Sequence, residues 1–270
     1  MEFDLRNVLS FATNYLEGKS LSPRLDAEIL LSFVLLKDKV WIYSNFDFKL
    51  DDKTIKRFQE VLDKRSQGMP ISYITGKKEF MGLEFKITDK VLVPRPETEE
   101  LVEKLICDSN KHGWKKFLDF GSGSGVIAIS IAKFLPNAQV WVIDASKDAL
   151  DLTMENAKRL DVEERIHLLE KTKVEEFEIV VSNPPYLTKK EWEDSNDLHF
   201  EPYEALVGGE DGNDLYREII AAYNPQRFYF EIAHPFRKSL KEIFDNFGMS
   251  YQIEKDLSGR DRIAVLRRSL

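Results

Sequence analysis

Two short segments hold residue types that can do chemistry. The first is FLDFGSGSG at 117–125, an apolar run that ends in three alternating glycines and passes straight into VIAISIAKFL. Glycine serves where φ is positive or where a ligand must approach the backbone, and a helix N-terminus beyond it offers unpaired N–H groups. Gly121, Ser122, Gly123, Ser124 and Gly125 therefore form a candidate cradle for a nucleotide-like ligand, with an ordinary strand-to-helix turn as the plain alternative. Asp144 ends VWVID, 23 residues after Gly121, near the offset of about 20 at which an acid grips a ribose hydroxyl. The same residue is also placed to cap the helix beginning near Ser146. Val126 stands where a dinucleotide fingerprint has its third glycine, so the spacing disfavours NAD.

The second segment is Asn183, Pro184, Pro185 and Tyr186, which directly follow the apolar run FEIVVS at 177–182. The Asn side chain offers one acceptor and one donor group, Pro184 contributes a carbonyl, and consecutive prolines stiffen the loop. Together they can accept both N–H bonds of a planar amide or amine, with Tyr186 as an aromatic wall. Asn-Pro is also a common turn initiator, which is the structural alternative.

The elements that must position these segments are legible in the periodicity. From residue 116 short apolar strands alternate with helical patterns: strands at 116–120, 139–143, 165–169, 177–182 and 227–232, helices at 124–134, 146–160, 213–223 and 236–247. This is the pattern of a doubly wound parallel sheet, whose ligands bind beyond the carboxyl ends of the strands. YQIEKDLSGRDRIAVLRR at 251–268 reads as an antiparallel pair of strands turning at Gly259. Residues 4–67 have helical period, with Gly68 and Pro70 closing the last helix, so 1–75 is expected to be a small helical domain. EFMGLEFKITDKVLV at 79–93 alternates like a hairpin, giving a connector at 76–95 and a catalytic domain at 96–270. In VPRPETE at 93–99, Thr98 or Glu97 is expected to cap the next helix.

Composition sets outer limits. The chain has 270 residues, 43% hydrophobic and 32% charged, with a net charge of −8, and it fits neither a disordered nor a collagen-like protein. Residues 1–75 hold 11 Lys and Arg against 11 Asp and Glu, leaving 28 against 36 in 76–270. An acidic whole argues against holding nucleic acid by phosphate neutralisation. Cys107 is the single cysteine, which excludes an intrachain disulfide and a cysteine zinc cluster and agrees with the cytoplasm. No metal site is expected. The start lacks a basic region before an apolar stretch, and the longest apolar run, ILLSFVLL at 29–36, is shorter than the ~20 residues of a spanning helix. Neither secretion nor a membrane span is expected.

The glycine turn, Asp144 and SNPPY resemble class I methyltransferases that use S-adenosylmethionine and act on exocyclic or amide nitrogen. More closely, the chain resembles the glutamine N5-methyltransferases of bacterial peptide-chain release factors, the HemK type. The likeness extends through SPRLDAE at 22–28, GMPISYITG at 68–76, VPRPETE, Phe200-Glu201-Pro202 and GGEDG at 208–212. It implies a Rossmann-like, mainly parallel seven-stranded sheet with an antiparallel final strand, preceded by the helical domain. It also implies that residues 121–125 contact the methionine part of S-adenosylmethionine, that Asp144 binds its ribose, and that Asn183 lies at the junction of cofactor and substrate. Residues 183–186 would then hold the glutamine of a Gly-Gly-Gln motif, and the helical domain would dock the release factor. EKTKV at 170–174 departs from the family pattern at the expected adenine contact, and Glu231-Ile232-Ala233 departs from Glu-x-Gly.

A carboxamide nitrogen is a poor nucleophile, so the expected mechanism is orientation: Asn183 and Pro184 accept the two N–H bonds and aim the nitrogen without a general base. His112, His167, His199 and His234 have no carboxylate partner at a recognisable spacing. Glu201 either orders the loop over the pocket or is a solvated acid, and Lys189 to Asp194 reads as a solvated helix start. The rival chemistries are adenine N6 methylation, for which the chain lacks a basic track, methylation of a ribosomal-protein glutamine, and NAD-dependent oxidoreduction.

Overall fold

The computed structural model describes residues 3–169, 176–195 and 197–268. It divides into two compact units, one ending at Lys77 and one beginning at Lys78.

The first unit is all helical: α1 (Leu5–Leu16), α2 (Pro23–Leu35), α3 (Lys39–Ser44), α4 (Asp52–Ser66) and α5 (Ile71–Thr75). Asp4, Asp38 and Asp51 cap α1, α3 and α4 by accepting the backbone N–H three residues on. Leu5, Leu9, Ala12, Leu16, Leu30, Leu31, Phe58 and Leu62 are buried together. The SPRLDAE segment is explained here. Asp26 on α2 pairs with the Arg65 Nε of α4 at 2.6 Å and accepts from Ser20, while Arg65 also donates to the carbonyl of Met69. The helical pattern does not end at Pro70 as expected: α5 follows it and stops at Gly76, which has φ +73°. Pro70 occupies its N-cap, where a missing N–H costs nothing.

The boundary falls at the first residue of a two-stranded hairpin, β1 (Lys77–Phe80) and β2 (Leu83–Lys86), which is followed in the second unit by α6 (Pro96–His112). Then come β3 (Lys116–Phe120), α7 (Val126–Phe134), β4 (Gln139–Ile143), α8 (Lys147–Arg159), β5 (Ile166–Leu168) and β6 (Ile179–Ser182). The remainder is α9 (Lys189–Glu193), α10 (Asp214–Ala222), β7 (Arg227–Glu231), α11 (Lys238–Asn246), β8 (Met249–Lys255) and β9 (Asp261–Arg268). The sheet order is β5-β4-β3-β6-β7-β9-β8. Strands β3 to β7 pair in parallel, and β9 runs antiparallel to both of its neighbours.

The chain moves outward from β3 through β4 to β5 and then returns to β6 on the other side of β3. This reversal opens the crevice in which doubly wound sheets bind ligands. The glycine turn leaves β3 and the Asn-Pro-Pro-Tyr loop leaves β6, so both expected segments flank the switch point. All of β6 is buried, as is most of β3, so neither alternates: β6 opens on three apolar residues, and the apolar run of β3 is broken only by the buried Asp119. Neither Thr98 nor Glu97 caps α6. Arg95 takes that position without a side-chain bond and Pro96 follows as the first helical residue, leaving Thr98 free for another partner. Among the described residues no helix is long and apolar enough to cross a membrane.

Candidate functional site

The carboxyl ends of β3 and β6 are fastened to each other: the Ser182 hydroxyl donates to the carbonyl of Phe120 at 2.6 Å. Beyond that tie the glycine turn is held on two sides. Gly121 N–H donates to the carbonyl of Ile143 at 2.8 Å, and Gly123 N–H donates to Asp144 Oδ2 at 2.9 Å. On the other side, Thr153 donates to the carbonyl of Gly123 and Asn156 Nδ2 to that of Ser124, both from α8.

Each glycine has its own reason. Gly121 and Gly123 have φ of +79° and +56°, and a Cβ built on either meets nothing within 4 Å, so this stretch of backbone faces open space. A Cβ on Gly125, φ +83°, would lie 2.8 Å from Ile129 Cδ1 and 3.0 Å from Thr153 Cγ2. The third glycine therefore lets the turn pack closely on α7 and α8. Ser122 and Ser124 are buried, and the Ser122 hydroxyl bonds to the Thr153 hydroxyl, whose one hydrogen goes to the Gly123 carbonyl. These two serines support the turn, and the glycine backbone lines its open face.

Asp144 sits at the end of β4, partly exposed, with Oδ2 on Gly123 and Oδ1 accepting from Ser146 N–H at 2.9 Å. It does not cap α8; Ser146 does, accepting from the N–H of Ala149. Beneath the turn Asp119 is fully buried, with Oδ2 accepting from Ala128 N–H and Oδ1 without a hydrogen-bond partner among the described residues. Burial pushes its carboxyl up to about 7, against the Ala128 hydrogen bond and helped by the charge of Asp144.

The Asn183-to-Tyr186 loop is buttressed by motifs far along the chain. Gly208 lies against it so closely that a Cβ there would sit 2.1 Å from the Pro185 carbonyl oxygen, and one on Gly212 would sit 2.3 Å from that of Tyr186. The GGEDG segment is thus a flat backing for the loop. Leu187 and residues 206–208 exchange backbone bonds, with Gly208 N–H donating to the Leu187 carbonyl at 3.0 Å. Arg237 Nη1 donates to the Tyr186 carbonyl at 3.0 Å. Burial pushes the Tyr186 phenol up to about 12.

Glu201 is buried rather than solvated. One carboxylate oxygen accepts from Val93 N–H at 2.9 Å and the other pairs with Arg95, so the VPRPETE and Phe-Glu-Pro segments are bound to each other. Asn183 donates from Nδ2 to the Thr98 hydroxyl at 3.1 Å, and that hydroxyl donates to the buried Glu231 Oε2 at 2.6 Å. Thr98 and Glu231 escape sequence reasoning because they meet across 133 positions. Of the four histidines, His234 lies with Nδ1 3.5 Å from the Asp261 carboxylate. Its Nδ1 accepts the Asp261 backbone N–H, so the contact fastens β9 to the turn after β7. The expected adenine segment, residues 170–174, lies outside the described residues apart from β5 leading to it.

A glycine turn and an Asn-Pro-Pro-Tyr loop on adjacent strands of a seven-stranded sheet with one antiparallel strand define an α/β methyltransferase. Residues 97–199 match the family described as Methyltransferase small domain, and residues 7–76 match PrmC N-terminal domain. The chain is 38% identical over 257 residues to a release factor glutamine methyltransferase of Clostridium acetobutylicum, covering 89% of this chain and 90% of that one. It is also 38% identical over 274 residues to one of Buchnera aphidicola, covering 97% and 98%. It belongs to the release factor glutamine methyltransferase family. In fold it is similar to the catalytic domain of hMettl16, solved with a 3'UTR hairpin, at a TM-score of 0.54 and 13% identity over 83% of each chain.

Proposed function

We propose that this protein transfers a methyl group from S-adenosylmethionine to the side-chain amide nitrogen, N5, of the glutamine in the Gly-Gly-Gln motif of peptide chain release factors. The observation that carries the reading is the pairing of two half-sites across β3 and β6, tied by the Ser182 to Phe120 bond. One suits a nucleoside and an amino acid, the other a planar amide.

The residues present fit the cofactor. The open backbone of Gly121 and Gly123 and the N-terminus of α7 suit the carboxylate end of a methionine. Asp144, fixed by two backbone N–H groups and still partly exposed, keeps lone pairs for ribose hydroxyls. When bound, S-adenosylmethionine supplies a methyl group activated by its sulfonium.

On the acceptor side, the Asn183 oxygen and the Pro184 carbonyl take the two N–H bonds of the target amide, and Tyr186 walls the pocket. The amide lone pair is delocalised, so the rate rests on holding nitrogen and methyl in line at roughly 3–3.5 Å, a positioning effect worth several kcal/mol. No general base is assigned: the N–CH3 bond forms as the sulfonium–methyl bond breaks, and the methylated amide, now acidic, gives up one proton to solvent. The helical unit, which exposes Phe11, Leu36, Val40 and Phe48, is read as the docking surface for the release factor.

The test is mass spectrometry of a purified release factor after incubation with the enzyme and S-adenosylmethionine. A gain of one methyl on the Gly-Gly-Gln glutamine is expected, together with near-total loss of transfer in Asn183→Ala while calorimetry still shows cofactor binding. Transfer at the wild-type rate by that variant overturns the assignment of Asn183.

A further inference from the structure

A threonine hydroxyl has one hydrogen to give. In Thr98 that hydrogen goes to Glu231 Oε2 at 2.6 Å, so toward its second partner the oxygen acts only as an acceptor. The second partner is the Asn183 side chain at 3.1 Å. Asn183 must therefore turn its NH2 to Thr98, which leaves its oxygen for the pocket. The reverse amide orientation would set two acceptors against each other. Three elements supply this relay: Glu231 from the end of β7, Thr98 from the first turn of α6, and Asn183 from the end of β6.

We propose that Thr98 and Glu231 are positioning residues for methyl transfer: Glu231 takes the Thr98 hydrogen, and Thr98 thereby fixes the Asn183 oxygen toward the target amide. The inference rests on the reading of Asn183 given above. It accounts for two buried groups that the transfer step leaves otherwise unused. Thr98 is 2% exposed and Glu231 1% exposed, and the Glu231 backbone carbonyl is separately engaged by the Tyr216 hydroxyl at 2.7 Å.

The relay depends on Glu231 being an acceptor. A protonated Glu231 can itself donate to Thr98, which frees the hydroxyl hydrogen for Asn183 and admits the reversed amide. Burial raises the Glu231 carboxyl to about 7, opposed first by the Thr98 hydrogen bond and then by Arg262. Arg262 of β9 approaches Oε1 at 3.8 Å. The other groups facing it are Glu97 of α6, which raises it, and Arg95, which lowers it, with Tyr186 on the acceptor loop and Tyr216 on α10 coupled to its charge. Transfer should accordingly rise with pH through the neutral range.

The experiment compares Thr98→Val, Thr98→Ser, Glu231→Gln and Asn183→Ala in the full chain, measuring kcat and KM for release factor between about pH 6 and 9, with S-adenosylmethionine affinity by calorimetry. Thr98→Val should bind the cofactor normally and lose roughly 10- to 100-fold in kcat through misplacement of Asn183. Thr98→Ser, which keeps the hydroxyl, should restore most of that loss. Glu231→Gln, which removes the titrating carboxyl from the relay, should lose the rising limb. Wild-type kcat and pH profile in Thr98→Val overturn the proposal, as does a Thr98→Ser no better than Thr98→Val, or an unchanged limb in Glu231→Gln. Should Thr98→Val fail to fold, the Glu231→Gln profile decides by itself. If Asn183→Ala is inactive while Thr98→Val is not impaired, the relay alone falls. If Asn183→Ala is fully active, the reading of Asn183 falls with it.

Discussion

Gly208→Ala tests the acceptor loop without touching any group that meets substrate. The added Cβ would stand 2.1 Å from the Pro185 carbonyl oxygen and 3.0 Å from the carbonyl carbon of Gly212, whereas ordinary contact begins at 3.4 Å. About 1.3 Å of separation must therefore be found between two pieces of backbone. Gly208 cannot simply withdraw, because its N–H holds the Leu187 carbonyl at 3.0 Å and its own carbonyl accepts from Asp214. The prolines resist bending, so the displacement passes to Asn183 and Tyr186. A misplacement of ~1 Å at a reacting centre costs roughly 100-fold in rate, and overpacking of this kind costs about 1–3 kcal/mol of stability. The assay is transfer of labelled methyl to release factor under single-turnover conditions, with calorimetry for S-adenosylmethionine. Cofactor affinity should be unchanged, since the glycine turn rests on α8. A variant that methylates at the wild-type rate would show that segment 208–212 does not set the position of the loop.

Two further substitutions probe the cofactor side. Asn156 is fully buried and makes three bonds, accepting from Lys86 N–H and donating to the carbonyls of Lys86 and Ser124. At about 1 kcal/mol for each bond, Asn156→Ala should lower stability by ~3 kcal/mol and weaken S-adenosylmethionine binding, measured by urea unfolding and calorimetry; unchanged affinity would detach the hairpin from the site. Asp119→Asn is a test of pH linkage. The Asp119 carboxyl is raised from 3.8 to about 7 in the folded protein, so between those values the native state keeps a proton that the unfolded chain has released. Its contribution to stability is present below the unfolded value and is lost as pH rises toward 7. Asp119→Asn should gain on the wild type by up to ~4 kcal/mol at alkaline pH and little near pH 4. Unfolding curves that differ equally at both ends would refute this account of Asp119.

Local signals carry the sheet and half of the site. Strands β3 and β6 are buried, so their runs of apolar residues stand out, and the glycines at 121, 123 and 125 need positive φ, which is a property of the residue itself. The support of the acceptor loop is different in kind. Gly208 and Gly212 are glycines because of Pro185 and Tyr186, and Thr98 stands at the start of α6 as a partner for Glu231 rather than as a cap. These contacts are set by folding, and no periodicity encodes them. Residue 201 illustrates the limit: its type allows a solvated acid or an anchor, and only the approach of Val93 and Arg95 decides. The short α5 escaped because five residues between Pro70 and Gly76 are too few to show a period.

Beyond the pairing of β3 with β6, the Ser182 to Phe120 bond joins two half-sites whose turns rest on separate supports. The glycine turn is carried by α8 and the hairpin through Asn156 and Thr153, and the acceptor loop by residues 206–212, Arg237 and Thr98. Such a plan gives evolution two nearly independent dials. Mutations behind the acceptor loop can drift toward a different amide or amine without eroding the grip on the methyl donor, and the donor side can be tuned without retraining recognition. New acceptor preferences in proteins of this design should therefore trace to changes near 98, 208–212 and 231, far from the glycines that advertise the fold.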